Sequence, residues 1–287
     1  MNRSNLNGRL LEFFIVDRIL KTNPNCIIDK CSIDDQNRDR NRLKDLEKHL
    51  IDRFTISSVQ IINWLDKKIS IHSVSRLPDS SGKKGDVTDV RITDTNGKTI
   101  NLSIKNNHKA VKHQRPGSLI QQIGILKNSE EDIIYRKKLN DIYRDFHNEI
   151  EKLKPVPSLF NEVEDLKYPK IYNPVCSLVS QTINKYKDSS ILSNHYQKFL
   201  IGNTDFYKII VEKESVDIIK YCNIPSSSRM SSTFSKNYIF LDFHNGIKMI
   251  MRLHTASSRI TKNISLKFDS QMDEDMKEQI PKEILRF

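Results

Sequence analysis

The fold is most tightly constrained between Asp89 and Lys105, where two runs of alternating polar and apolar residues meet at Asn96-Gly97. Val90 and Ile92 alternate with Arg91 and Thr93 before that pair, and Ile100, Leu102 and Ile104 alternate with Asn101 and Ser103 after it. An Asn-Gly turn between two such runs predicts a β-hairpin. A hairpin cannot bury its apolar face by itself, so helices or further strands have to cover it. The same hairpin sets Asp89, at the mouth of the first strand, beside Lys105, at the end of the second.

The flanking sequence supplies the cover. Leu6 to Lys21 reads as a helix with Leu10, Leu11, Phe14, Ile15, Ile19 and Leu20 on a wide apolar face, and Glu12 sits on its flank. Cys26 to Asp35 reads as a loop or short strand. Leu43, Leu46, Leu50 and Phe54 then mark an exposed amphipathic helix, and Ser57 to Lys68, which carries Trp64, marks another. Pro78 to Lys84 is expected to be a flexible turn. Leu119 to Leu126 becomes helical. Glu130 to Lys154 predicts a long helix with Ile133, Ile134, Leu139, Ile142, Tyr143, Phe146, Ile150 and Leu153 on one side.

Pro155 and Pro157 end that helix and suggest a division into a core at residues 1–154 and a C-terminal portion at 155–287, packed together as one unit. Two helical patches between Tyr172 and Leu200 follow. Strands are expected at Phe206 to Val211, at Ile264 to Phe268, and at Tyr238 to Phe243 and Ile247 to Leu253 around the turn His244-Asn245-Gly246. Val216 to Tyr221 reads as a short helix or strand, Pro225 to Ser235 as a Ser-rich loop, and the tail as an acidic helix. The class is α/β.

The formal net charge is +11, with basic and acidic residues interspersed. A folded chain of this balance favours polyanions, nucleic acid first. No apolar run reaches membrane-spanning length and the first ten residues lack a signal-peptide core, so the cytoplasm is the expected location. Cys26, Cys31, Cys176 and Cys222 form no CxxC pair, which argues against a structural zinc and suits a reducing compartment.

An acid and a lysine on neighbouring strands are either a surface ion pair or part of a phosphodiester-cleaving site. In the second case carboxylates hold Mg²⁺, the metal activates a water and neutralises the phosphate, and the lysine orients the nucleophile. Asn106, Asn107, His108, Lys109, Lys112, His113, Gln114 and Arg115 follow at once as a basic loop. Nearly all of them can donate to phosphates or base edges, and any can instead brace the loop. In a second basic stretch, Arg252, His254, Thr255, Ser257, Ser258 and Arg259 place short hydroxyls between two arginines, which suits a DNA groove or, alternatively, a solvated turn. Arg229 stands alone in its Ser-rich segment.

The order Gly8-x-x-x-Glu12 on a helix, Asp89 on a strand, Ser103-Ile104-Lys105 on the next strand, then a helix, resembles the PD-(D/E)xK nuclease core. More narrowly, NLSIKNNHKAVKHQRPGSLIQQIG, together with DVTDVRI before it and RLHTASSRI after it, resembles the HaeIII family of type II restriction endonucleases. The resemblance implies a restriction-endonuclease-like mixed β-sheet core flanked by helices, with a β-rich C-terminal portion for DNA recognition. It further implies an Mg²⁺-dependent homodimer that cuts double-stranded DNA at the palindrome GGCC, with a cognate DNA methyltransferase as genetic partner.

The family pattern is broken at Ser103, where an Asp or Glu would complete (D/E)xK, and serine is a poor hard-metal ligand. Asp89 is then the expected central ligand. Glu12 supplies the second acid, with Asp86 or a water as alternatives, and the backbone carbonyl of Ile104 is the candidate third oxygen. Lys105 positions the attacking water. The loss of that carboxylate also leaves open a non-catalytic DNA-binding protein on the same scaffold; a repair or structure-selective nuclease is the other alternative.

Overall fold

In the computed structural model, which describes residues 3–78, 86–108, 110–273 and 280–287, the chain begins with α1 (Arg3–Thr22), β1 (Ile27–Ile28), α2 (Lys30–Arg40) and α3 (Lys48–Asp66). Then come β2 (Ser73–Arg76), β3 (Val90–Thr93), β4 (Thr99–Asn106) and β5 (Lys112–Gln114). A helical run follows: α4 (Leu119–Ile123), α5 (Glu130–Ile150), α6 (Glu164–Lys167), α7 (Asn173–Lys185) and α8 (Ser190–Ile201). The chain closes with β6 (Phe206–Val211), β7 (Ser215–Tyr221), β8 (Ser231–Ser235), β9 (Tyr238–Asp242), β10 (Lys248–Thr255), β11 (Leu266–Met272) and β12 (Lys282–Arg286). These elements build two compact units, Met1–Lys109 with Gly202–Ile224 and Glu278–Phe287, and Ala110–Ile201 with Pro225–Lys277. Pro155 lies within the second unit.

The first unit is a mixed sheet in the order β1-β2-β3-β4-β6-β7-β12. β1 with β2 and β4 with β6 run parallel; the other neighbours are antiparallel. The Asn96-Gly97 turn closes β3 onto β4 as the sequence predicts. Gly97 takes φ 81°, and Asp94 Oδ1 accepts the N–H groups of Asn96 and Lys98. α1 and α3 supply Leu10, Leu11, Ile15, Phe54, Ile61 and Leu65 to a core shared with Val90, Ile92, Leu102 and Ile209 of the sheet.

The second unit carries an antiparallel sheet in the order β5-β11-β10-β9-β8. Met249, Met251 and Leu253 of β10 and Leu266, Phe268 and Met272 of β11 are buried on one face, and both strands fall on or overlap segments expected as strands. α7 packs on β8 and β9 over this face, and the Tyr196 ring meets Phe243 edge-on. Together the two units give the expected mixed sheet flanked by helices and a C-terminal β-rich portion.

Several local expectations are corrected. Most of the segment expected as loop or short strand at Cys26–Asp35 is helix α2, capped by Asp29, whose carboxylate accepts the N–H of Ser32. Leu43 lies in a 3-10 turn before α3, and α3 runs unbroken where two helices were expected, because Thr55 and Ser58 return their hydroxyls to Ile51 O and Thr55 O. That helix is not exposed, since Leu50 and Phe54 are buried. In α5 the buried stripe is Tyr135, Leu139, Phe146 and Ile150, while Ile133 and Ile134 are exposed. Val216–Tyr221, expected as a short helix or a strand, is the strand of the two. The Ser-rich segment ends in β8 because Ser231 to Ser235 pair with β9, and the tail holds β12 rather than a helix because it adds to β7. The expected basic loop after Lys105 includes strand β5, paired with β11. Residues 79–84, expected as a flexible turn, lie outside the described residues. No helix among the described residues is long and apolar enough to cross a membrane.

Gly124 ends α4 with φ 108°, and a Cβ there would lie 2.8 Å from Cγ of His195. The substitution Gly124→Ala is therefore expected to lower stability by about 1–3 kcal/mol. Denaturant unfolding checks it; an unchanged midpoint would contradict the packing described.

Candidate active site

Asp89 is held between two strands before its side chain does anything. Its N–H donates to Leu102 O at 2.8 Å, and its carbonyl accepts the N–H of Leu77 at 2.9 Å. The carboxylate then turns toward β4. Oδ2 accepts the backbone N–H of Ile104 at 2.6 Å and the Lys105 ammonium at 2.9 Å, with Ser103 Oγ at 3.5 Å. All three contacts fall on one oxygen, and Oδ1 lies outside them. Charge-assisted bonds of this kind fix a rotamer as well as an energy. The hairpin thus brings Asp89 and Lys105 together, while Ser103 is buried beside them with only a hydroxyl to offer.

Glu12 reaches this region from α1. The helix is anchored by Leu10, Leu11 and Ile15, all fully buried, and the Glu12 side chain is 12% exposed. Its Oε2 accepts from Arg76 Nη2 at 2.9 Å, and Arg9 Nη1 lies 3.7 Å away. Burial first and the negative charge of Asp89 second raise the Glu12 carboxyl to about 7, against the opposing pull of Arg76 and Arg9. Two carboxylates that penalise each other in a poorly solvated place, with a lysine alongside, form a hard oxygen donor set. A divalent cation fits it, because its charge would relieve both burial and repulsion.

Asp86 is differently engaged. Its Oδ1 accepts the Thr88 N–H at 3.0 Å and its Oδ2 the Arg91 guanidinium at 3.0 Å, so both oxygens serve the loop before β3.

In the basic stretch, Asn106 Oδ1 accepts from Arg53 at 2.7 Å. Asn107 sits in the left-handed region at φ 51°, with its N–H on Val211 O, and His108 follows it. Lys109 lies outside the described residues. In the second unit Lys112 stands over the Phe199 ring, 4.3 Å from its centre, and burial lowers the pKa of its ammonium. Arg115 donates to Ser265 Oγ at 2.7 Å.

Three of the predicted basic residues gather on Asp269 of β11. His113 Nδ1 lies 2.6 Å from Oδ1, His254 Nε2 lies 2.9 Å from Oδ2, and Arg252 Nη2 lies 3.6 Å from Oδ2. The strand register explains the row, since Asp269 faces both His113 of β5 and Arg252 of β10. Burial pushes the Asp269 carboxyl up, but the bonds and charges of His254 and His113 outweigh it and hold the carboxyl below its ordinary value. Thr255 ends β10. Ser258 O accepts the Phe160 N–H at 2.9 Å, so the turn through Ser257 is tied down while Arg259 remains exposed. Arg229 pairs with Asp188 at 2.8 Å.

The sequence reading passed over Arg76, Asp39, Gln36 and Asp269. The signal for Arg76 was present: period-two alternation sets it on the same face as Val74, an arginine at an inward position.

The family described as HaeIII restriction endonuclease matches residues 9–233, a span that includes Glu12, Arg76, Asp89, Ser103 and Lys105. The chain belongs to that family. The type II restriction enzyme HaeIII of Haemophilus aegyptius is 28% identical over 312 aligned residues, covering 94% of this chain and 94% of the relative. No solved structure gives a significant match. Membership makes the chain a type II site-specific deoxyribonuclease and DNA its partner. Restriction endonucleases of this type generally use a divalent metal, in keeping with the donor set around Asp89.

The raised Glu12 carboxyl carries a definite sign. A group whose folded value lies above its unfolded one stabilises the fold below the unfolded value and loses that contribution as pH rises through the folded one. In metal-free protein the stability advantage of wild type over Glu12→Gln is therefore expected to shrink between pH 4.5 and about 7. Denaturant titrations across that range test it, and a pH-independent difference would exclude the raised value.

Proposed function

We propose that the chain hydrolyses double-stranded DNA at GGCC with Mg²⁺, as a cytoplasmic homodimer whose host sites are protected by a cognate methyltransferase. The observation that supports the reading is that Asp89 meets Lys105 across β3 and β4 and lies within electrostatic reach of Glu12, midway along α1. Asp89 and Glu12 hold the metal, and the Ile104 carbonyl adds a third oxygen. Asp86, whose two oxygens are already engaged, is the weaker candidate for the second acid. Bound Mg²⁺ supplies charge neutralisation at the phosphate and a more acidic water.

The chain's own residues do the rest. Lys105, steadied by Asp89, donates to the attacking water or the non-bridging phosphate oxygens. Water adds to phosphorus in line with the leaving oxygen, the bond to that oxygen breaks, the leaving oxygen takes a proton from solvent to become a hydroxyl, and the attacking water gives its proton up to solvent. Asn106, Asn107, His108, Lys109, Lys112, His113 and Arg115 contact DNA from the end of β4 and the stretch that follows it. Arg229, Arg252, His254, Thr255, Ser257, Ser258 and Arg259 do so from the β-rich portion. A site of only G·C pairs calls for bidentate arginine or lysine contacts to guanine, which Arg252 and Arg259 can provide. Two-fold symmetry of a homodimer matches the palindrome.

Ser103 favours one competing reading, a DNA-binding protein that has lost its chemistry. Plasmid incubated with Mg²⁺ separates the two: discrete fragments ending at GGCC support the enzyme, and a gel shift without cutting supports the binder. Asp89→Asn and Lys105→Ala are each expected to slow cutting by at least ~10²-fold while gel-shift affinity stays within a few-fold. Near-normal turnover in either variant would remove the site assignment. Affinity should also fall steeply with salt, the log–log slope flattening by about 0.9 for each phosphate contact removed. A flat salt response would rule out the basic side chains as the DNA face.

A further inference from the structure

Resting on the reading that Glu12 and Asp89 hold the cation, we infer that Arg76 is the residue that positions Glu12 for it. Arg76 ends β2 and its side chain is completely buried. Its register partner on β3 is Val90, the residue next to Asp89, so the guanidinium starts one strand away from the central ligand.

The two terminal nitrogens of Arg76 divide their work. Nη1 donates to Gln36 Oε1 and approaches Asp39 Oδ2, both at 2.9 Å. Nη2 donates to Glu12 Oε2 at 2.9 Å and to the Arg9 carbonyl at 3.2 Å. Arg9 and Glu12 lie one turn apart on α1, so Nη2 is a brace between the helix backbone and the Glu12 carboxylate. A buried guanidinium needs an anion, and Nη1 meets fully buried Asp39, a carboxylate that also faces Arg38 and Arg42. The contact to Glu12 is a second acidic contact, made through the other nitrogen. It occupies Oε2 and leaves Oε1 as the oxygen outside that bond. It also keeps a carboxylate that burial and Asp89 both work against in one orientation beside Asp89. Groups that orient metal ligands in this way typically change metal affinity about 10–100-fold when replaced.

The test measures metal binding rather than cutting. Free Mn²⁺ is counted by electron paramagnetic resonance as protein is added at pH 8, for wild type, Glu12→Gln, Asp89→Asn, Arg76→Lys, Arg76→Gln and Asp39→Asn, with thermal unfolding fixing the folded fraction of each. Lysine keeps the charge beside Asp39 but cannot span both acids. Arg76→Lys and Arg76→Gln are expected to weaken Mn²⁺ about 10–100-fold. Arg76→Lys should raise the Mg²⁺ concentration for half-maximal cutting by a similar factor, with the rate at saturating Mg²⁺ within a few-fold of wild type. Asp39→Asn, which leaves the Arg76–Glu12 contact in place, should bind Mn²⁺ as wild type does. Affinity lost in Glu12→Gln and Asp89→Asn but intact in both Arg76 variants overturns the role of Arg76 alone. Affinity unchanged in Glu12→Gln removes the metal reading, and this inference with it. Equal losses in Asp39→Asn and Arg76→Lys reduce Arg76 to a structural ion pair.

Discussion

The bond from the Ile104 N–H to the Asp89 carboxylate, at 2.6 Å, ties that side chain to the sheet of the first unit. That N–H belongs to the central strand, β4, which pairs with β3 on one side and β6 on the other. A side chain that borrows a backbone donor cannot move without the strand. Lys105, one residue on, inherits the same placement, and its ammonium meets the same carboxylate oxygen. The hairpin register therefore determines where the acid and the lysine stand, and a slip of one residue would turn both away from each other.

Around this fixed pair the first unit arranges charge where solvation is poor. Arg76 and Asp39 are both fully buried, and Glu12 is nearly so. Removing one member of a buried ion pair costs about 3–5 kcal/mol, far more than an exposed pair is worth. Asp39 is further enclosed by Arg38 and Arg42. The network is thus strongly interdependent, and α1 is attached to the sheet through charge as well as through Leu10, Leu11 and Ile15. In the second unit a smaller version recurs on a sheet surface. Asp269 gathers His113, His254 and Arg252, three basic side chains drawn from two neighbouring strands.

The hairpin, α1, the long α5 and the strands around His244-Asn245-Gly246 were legible because each depends on local pattern. Asp89, Lys105 and Glu12 were legible because their residue types matched a known motif, and the geometry brings Asp89 against Lys105 and within electrostatic reach of Glu12. What escaped depends on partners far along the chain. β12 is a strand because residues 282–286 find the edge of β7, and no local pattern distinguishes it from an acidic helix. Ser231 to Ser235 carry turn-like side chains yet pair with β9. Alternation sets Arg76 on the inward face, but its partners Glu12 and Asp39 reach it across sequence separations of 64 and 37 residues. A run that reads as one basic loop after Lys105 ends as a strand in a different sheet, since β11 offers it a free edge.

The parallel pairing of β4 with β6 has a consequence for how the protein is made. Asn106 lies against Val211, and the bulk of the second unit is synthesised between them. The Asp89–Lys105 hairpin leaves the ribosome early, but its open side stays bare until about a hundred further residues have been added, and β12 comes later still. Pairings of such long range are slow to form. The Asp89–Lys105 pair is thus translated long before the strands that complete its sheet, and the first unit's sheet can close only after most of the second unit has been made.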